Sequence, residues 1–197
     1  MVKDESCASL KLCDYGSGFT EDDIVSENLS GNTPYLVSRF YRAPEIILGS
    51  PFDYNIDLWS VGVTLYELYT TKVLFAGRSN NHMLKLMQDM NGKMPVRLLK
   101  RAKSREMYFD DKNQFLYMER DAIDPTRERL KPLNAMEQNF DLRKELAGKQ
   151  LAAANSSDER KVLQLGELLC WILNSDPLRR PSLKECLEHH FITESMD

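Results

Sequence analysis

Ser38-Arg39-Phe40-Tyr41-Arg42-Ala43-Pro44-Glu45 is the stretch on which the reading of this chain turns, because of what stands at fixed distances on either side of it. Glu45 falls 29 residues after the glycine of Asp14-Tyr15-Gly16, and Asp57-Leu58-Trp59-Ser60-Val61-Gly62 follows. Alone, Asp14-Tyr15-Gly16 reads as a strand running into a turn, and such a tripeptide recurs by chance. Three ordered motifs at one spacing do not. Leu10-Lys11-Leu12-Cys13 alternates as a short strand does, which would hold Asp14 rigidly at its end, where a metal-binding carboxylate is useful. Residues 17–37 are polar, carry Gly18, Gly31 and Pro34, and lack periodicity. They read as a long loop, of a length that is usually either functional or disordered.

Downstream, the pattern turns helical. Leu58, Val61, Leu65, Leu68 and Tyr69 follow helical spacing while Trp59, Val63 and Tyr66 fill the other side, so residues 57–70 are expected to form a buried helix, apolar on nearly all faces, with Asp57 as its N-cap. Residues 80–90 predict an amphipathic helix with Met83, Leu86, Met87 and Met90 as a core-filling stripe. Residues from about 91 to 158 are charged and weakly periodic, with Pro95, Pro125 and Pro132 as breakers, and read as an insertion. Ser156-Ser157-Asp158-Glu159 gives a capping-box signature ahead of Val162, Leu165, Leu169 and Ile172. Ser182-Leu183-Lys184-Glu185 repeats it before a final helix ending near His190, which completes C-terminal helices over 159–192. The expected fold class is mainly α, with one short strand or hairpin at the N-terminus.

Bulk composition narrows the function classes. With 197 residues, 42% hydrophobic and 28% charged, the chain has the make-up of one ordinary soluble globular domain. A formal charge of −4 supplies no global basic field, which argues against direct nucleic-acid binding. Residues 97–105 are locally basic, with Arg97, Lys100, Arg101, Lys103 and Arg105, but no aromatic platform is interleaved with them. They read as a solvated face or a peptide-docking patch. Cys7, Cys13, Cys170 and Cys186 show no C-x-x-C spacing and read as reduced, mostly buried thiols of an intracellular protein. His82, His189 and His190 form no metal pattern, no apolar run approaches a membrane span, and Met1-Val2-Lys3-Asp4-Glu5 is not a signal peptide.

On the motifs quoted, the whole chain resembles the C-terminal lobe of eukaryotic protein kinases, as a partial kinase domain over residues 1–197 with its activation segment at 14–45. The resemblance implies that Asp14 binds the magnesium on ATP, with Gly16 completing the turn. It implies that Glu45 of Ala43-Pro44-Glu45 pairs with Arg180 to staple the lobe, and that Asp57 holds the catalytic-loop backbone. Thr33-Pro34-Tyr35-Leu36-Val37-Ser38-Arg39-Phe40-Tyr41-Arg42 looks like the CMGC group, and the 91–158 segment like its insert. Tyr-Leu-Val-Ser-Arg-Phe-Tyr-Arg together with Asn80-Asn81-His82-Met83-Leu84-Lys85-Leu86-Met87 is most similar to the pre-mRNA-processing kinases of the dual-specificity-tyrosine-regulated-like branch. Tyr35 then stands at the activation-loop phosphorylation site, where Arg39 and Arg42 could pair its phosphate, or packs as a plain loop tyrosine. Ser38 falls where serine/threonine-specific members place a hydroxyl, so transfer to Ser or Thr of protein substrates is implied. Spliceosomal partners and a nuclear location follow from the resemblance alone.

Departures from the family pattern bear on activity. Tyr15 replaces the usual Phe and adds a hydroxyl that needs a partner if buried. The 197 residues contain no G-x-G-x-x-G loop, no Val-Ala-Ile-Lys strand and no His-Arg-Asp loop. The acid-base Asp, its Lys and the magnesium-binding Asn are expected upstream of Met1, because Met1-Val2 stands where an apolar pair follows that Asn. The expectation is therefore a chain inactive by itself, which holds neither ATP nor magnesium stably and has been cut by an internal start or a split. The alternative is a non-catalytic kinase-lobe scaffold.

Overall fold

The computed structural model describes residues 2–4, 9–20, 22, 37–120, 128–133, 138–148 and 156–195. The chain divides into two units, Met1–Asn32 and Thr33–Asp197. Tyr35, with most of the loop around it, lies outside the described residues, as does Cys7.

In the first unit, β1 (Val2–Asp4) and β2 (Ser9–Leu10) pair antiparallel, with Val2 opposite Leu10, Asp4 opposite Ser9 and an irregularity between. The expected strand over residues 10–13 stops at Leu10. Leu12 is 85% exposed and Cys13 is exposed, so the alternation there has no apolar face to bury. A two-stranded ribbon is marginal in water, and its ends are the first part to lose pairing.

The second unit opens with α1 (Pro44–Leu48), whose five residues are all buried. Pro44 occupies the first turn, where its missing N–H costs nothing. Gly49, at φ 64°, stops the helix, with Gly49 N–H donating to Ile46 O and Ser50 N–H to Glu45 O, the paired bonds of a Schellman ending. Helix α2 (Asn55–Thr70) starts two residues before Asp57, and Asp53 Oδ1 accepts the Asn55 N–H at 2.9 Å. Asp57 therefore sits in the first turn and is not the cap. Ile56, Leu58, Trp59, Val63 and Tyr66 are buried, whereas Asp57, Val61, Thr64 and Leu68 form an outward stripe, with Leu68 68% exposed. The helix expected to be buried thus leaves this one stripe exposed. Gly62 sets the depth of the inner face. A Cβ there would stand 2.6 Å from Ile172 Cγ2, so only glycine permits this approach to the last long helix.

Helix α3 (Asn80–Asn91) is capped by Ser79, whose Oγ accepts the His82 N–H at 3.2 Å. It buries Met83, Leu84, Met87 and Met90, with Leu86 only half-buried, so the core stripe lies one position round from the expected one. After α4 (Val96–Lys100), the charged insertion holds a regular hairpin that periodicity did not reveal, β3 (Phe115–Arg120) antiparallel to β4 (Glu128–Leu133). Pro132, read as a breaker, faces Leu116 within it. A two-stranded ribbon has a free edge on each strand, and there a missing N–H breaks no ladder bond.

Helix α5 (Leu142–Ala147), capped by Asp141, packs on α6 (Ser156–Ile172). The core lies among α1, α2, α3 and α6, with Trp59 stacked on Phe75 at 5.6 Å between ring centroids. The single final helix expected near His190 is two short ones. Helix α7 (Leu183–Leu187) carries the full capping box of Ser182 and Glu185, and α8 (His190–Thr193) begins after His189, whose Nδ1 accepts the Phe191 N–H. The thiols also differ from expectation: Cys186 is buried, which pushes its pKa up, but Cys170 is partly exposed and Cys13 fully so. Among the described residues no helix is long and apolar enough to cross a membrane.

Lys161 of α6 ties this end together. It is 9% exposed, and its Nζ donates to the carbonyls of His190, Phe191 and Glu194 at 3.3, 3.1 and 2.6 Å. Methionine at 161 keeps the alkyl stem but leaves three part-buried carbonyls without their donor. Lys161→Met is expected to cost about 1–3 kcal/mol, read as a lower urea midpoint. An unchanged midpoint would show that water replaces the ammonium without loss.

Candidate functional site

Asp14 adopts φ 65°, ψ 64°, a left-handed conformation that few residues other than Gly, Asn and Asp visit. The chain then tightens into a 3-10 turn at Tyr15–Ser17, closed by Gly18 N–H on Tyr15 O at 3.0 Å. Both Asp14 and Tyr15 are exposed, Tyr15 by 72%, so its extra hydroxyl needs no protein partner. A Cβ on Gly16 would touch Asp14 Oδ1 at 3.7 Å, which places the carboxylate over the glycine. Among the described residues there is no cluster of three acidic, His or Cys ligands. Magnesium in nucleotide sites takes one or two carboxylates and completes its shell with phosphate oxygens and water. A single exposed carboxylate on a fixed turn fits one such ligand.

In the second unit the stretch that opened the reading is tied down residue by residue. Ser38 stands exposed before a 3-10 turn at Arg39–Tyr41. Arg39, also exposed, donates from Nη1 to Arg78 O at 2.8 Å. Arg42 is buried and turns inward: Nε and Nη2 donate to Val37 O at 3.1 and 2.8 Å, and Nη1 to Asn80 Oδ1 at 2.9 Å. The Tyr41 hydroxyl donates to Glu67 Oε2 at 2.6 Å, a bond that raises the pKa of the phenol, and Ser60 Oγ donates to Tyr41 O at 2.9 Å. Asp57, on the open stripe of α2, has its carboxyl pushed above the usual range by the protein packed beside it, although the residue keeps an exposed edge.

Behind this stretch lies the anchor. Arg180 Nη1 and Nη2 donate to the two oxygens of Glu45 at 2.6 and 2.7 Å, and neither side chain has any exposed surface. Two further donors are used, Nε on Asn174 O and a second Nη1 hydrogen on Asn55 O, with the guanidinium 4.9 Å over the Trp59 ring. Such parallel two-point pairing fixes orientation as well as charge. Three elements, α1, the start of α2 and the turn after α6, are pinned by one side chain.

Sequence reasoning missed the role of residues 78–82. Besides Arg39 on Arg78 and Arg42 on Asn80, Asn81 reaches the hairpin, donating from Nδ2 to Leu116 O at 2.7 Å and accepting the Met118 N–H at 2.9 Å. His82 Nδ1 accepts the Arg78 N–H at 3.2 Å, its ring edge against Tyr117. Asn80-Asn81-His82 marks the resemblance, but nothing in three polar residues at a helix start announces a junction.

His82 also carries a pH dependence. Burial first, then the charges of Lys85 and Arg78, lower its pKa below the ordinary 6.5, against an opposing pull from Asp89. The unfolded chain therefore binds the proton more readily. The stabilisation is complete above the ordinary value and is lost as pH falls through the lower folded one. Below about pH 6.5 the melting temperature of the protein is expected to fall faster than that of His82→Gln. Parallel curves would remove His82 as the cause.

Residues 1–192 match the family model described as the protein kinase domain. The chain belongs to the protein kinase family. It is 40% identical over 193 residues to serine/threonine-protein kinase prp4 of Schizosaccharomyces pombe, covering 97% of this chain and 38% of that protein. Serine/threonine-protein kinase prpf4B of Dictyostelium discoideum is 37% identical over 194 residues, 98% of this chain and 23% of that protein. The human dual specificity tyrosine-phosphorylation-regulated kinase 4 is 39% identical over 105 residues, 53% of this chain and 19% of that protein. These relatives agree with the resemblance to pre-mRNA-processing kinases within the CMGC group, and the mainly helical fold with its N-terminal hairpin agrees with a kinase C-lobe. The chain spans well under half the length of the first two relatives.

Proposed function

We propose that this chain is the substrate-facing lobe of a serine/threonine kinase of the prp4 type, moving the γ-phosphoryl group of ATP to Ser or Thr of nuclear, spliceosomal proteins. The observation that carries the reading is the fully buried Glu45 and Arg180 pair at the end of the activation segment. Asp14, with Gly16, would hold magnesium, which neutralises the phosphate charge that builds during transfer. Ser38 lies exposed, where an incoming hydroxyl substrate could be met. Phosphate on Tyr35 would draw on Arg39, whose exposed guanidinium need only leave Arg78 O, and on Arg42, which is already committed to Val37 O and Asn80.

The 197 residues by themselves are expected to transfer no phosphate, since they contain neither of the two ATP-positioning motifs nor the His-Arg-Asp catalytic loop. Fusion to a protein-kinase segment that carries the three missing motifs should restore transfer from radiolabelled ATP to Ser and Thr peptides but not to Tyr peptides. Transfer by the unfused chain, or a fused chain that labels only tyrosine, would overturn the reading. A second reading, a non-catalytic kinase-lobe scaffold, draws on Val61 and Leu68, two exposed apolar side chains on the outward stripe of α2 of the kind partners cover. A well-behaved monomer of the unfused chain supports it, and aggregation counts against it.

A further inference from the structure

The basic stretch at residues 97–105 has no part in the function above, and the structure sorts its cations into two groups. Arg105 is spent internally, donating to Asn113 Oδ1 and to Asp110 O. The others face outward, and Arg97 borders a groove of about 560 Å³ between residues 91–97 and 174–179. Lys93 and Arg97 line one side and Arg179 the other; Arg179 is 76% exposed. The acid in the groove, Asp176, is only 10% exposed and already neutralised, accepting from Arg97 Nη2 at 2.7 Å and from the Leu178 N–H at 3.2 Å, with Arg179 Nε at 4.0 Å, so that three cations face one paired carboxylate. An adjoining cleft is lined by Arg97, Arg101 and Leu178, so Arg97 and Asp176 border both openings.

We propose that this groove docks an acidic peptide segment of a partner protein. Its outward charge is positive against a chain whose formal charge is −4, so it is a local feature set against the general field. Its lining includes no aromatic ring on which bases could stack, and this favours a peptide over single-stranded nucleic acid. Its floor is built before any ligand arrives. Asn91 Nδ2 donates to Leu173 O at 2.7 Å and to Ser175 Oγ at 3.0 Å, Asp176 N–H to Asn174 Oδ1 at 2.9 Å, and Arg180 Nε to Asn174 O at 2.9 Å. A rigid floor spares the ordering cost that weakens most surface contacts. Arg179 offers a planar guanidinium suited to carboxylates and Lys93 a point charge, while Arg97 is held on Asp176 and adds its charge to the wall. Arg180, which fastens the floor, is the residue that grips Glu45, so docking falls directly behind the activation-segment anchor.

The test is fluorescence anisotropy with the purified chain and a short fluorescein-labelled peptide of alternating Glu and Ser, against its Gln and Ser counterpart. The Glu peptide is expected to bind and to weaken as salt rises, with the Gln peptide at least about tenfold weaker. Lys93→Glu with Arg179→Glu should weaken the Glu peptide by about tenfold or more, and Lys72→Glu, a single charge reversal outside the groove, by less than about twofold. Both reversed side chains are exposed; if the double variant melts early, Lys93→Gln with Arg179→Gln reads the same loss at smaller size. Equal binding of the two peptides, or equal weakening by Lys72→Glu, would overturn the proposal. So would an oligothymidylate of equal length displacing the peptide at lower concentration, which would make the groove a reader of phosphate backbone.

Discussion

Arg180→Met is expected to lower the stability of the protein by about 3–5 kcal/mol, the cost of leaving one member of a buried ion pair alone. Glu45 has no exposed surface, and with Arg180 gone its carboxylate has neither counter-charge nor water. The loss goes beyond one pair, because Asn174 O and Asn55 O lose their donors and Trp59 loses the cation over its ring. Domains of this kind have about 5–15 kcal/mol in all, so this single change removes a large share. Glu45→Leu combined with Arg180→Met should cost far less than the sum of the single changes, since two apolar side chains leave no orphaned charge. Urea unfolding of the four proteins measures this coupling. A loss under about 1 kcal/mol for Arg180→Met would mean that water reaches Glu45, and the pair would then be an ordinary surface bridge.

That pair also marks how far the sequence could be read. Glu45 and Arg180 are 135 residues apart, and no periodicity or propensity joins them. Only the resemblance set them together, and geometry then supplied the two-point contact. Local signals did better where the physics is local. The spacing of Leu58, Val61, Leu65, Leu68 and Tyr69 foretold a helix, and Ser182 with Glu185 foretold a capping box that forms in full. The same signals failed wherever a neighbour decides. Val61 and Leu68 share the apolar character of Leu58 and Val63, so hydropathy could not show that they stand exposed while the other two are buried. The hairpin of β3 and β4 was hidden because a ribbon with free edges tolerates Pro132 and charges such as Glu119, Arg129 and Lys131, which a central strand would exclude. Residues 78–82 were hidden for another reason: their bonds run to Arg39, Arg42, Leu116 and Met118, and each partner is remote in sequence.

Asp14→Asn, placed in a kinase completed by a nucleotide-binding lobe, is expected to lower phosphotransfer by about 100- to 1,000-fold, the size of effect seen when one preorganised electrostatic partner of the reacting group is removed. The choice of asparagine matters. At φ 65° an alanine would be strained, whereas asparagine accepts the left-handed region nearly as well as aspartate and keeps a side-chain oxygen over Gly16. Asp14→Asn therefore removes the charge and spares the turn, while Asp14→Ala removes both and Asp14→Gly relieves the backbone while deleting the ligand. If the carboxylate acts on magnesium, Asn and Gly variants should be similarly inactive, with urea midpoints close to that of the parent. If the turn alone matters, Asn and Gly should retain activity and only Ala should lose it. An Asn variant with full phosphotransfer would withdraw the metal role from Asp14 and leave its left-handed backbone as a feature of the hairpin's exit and nothing more.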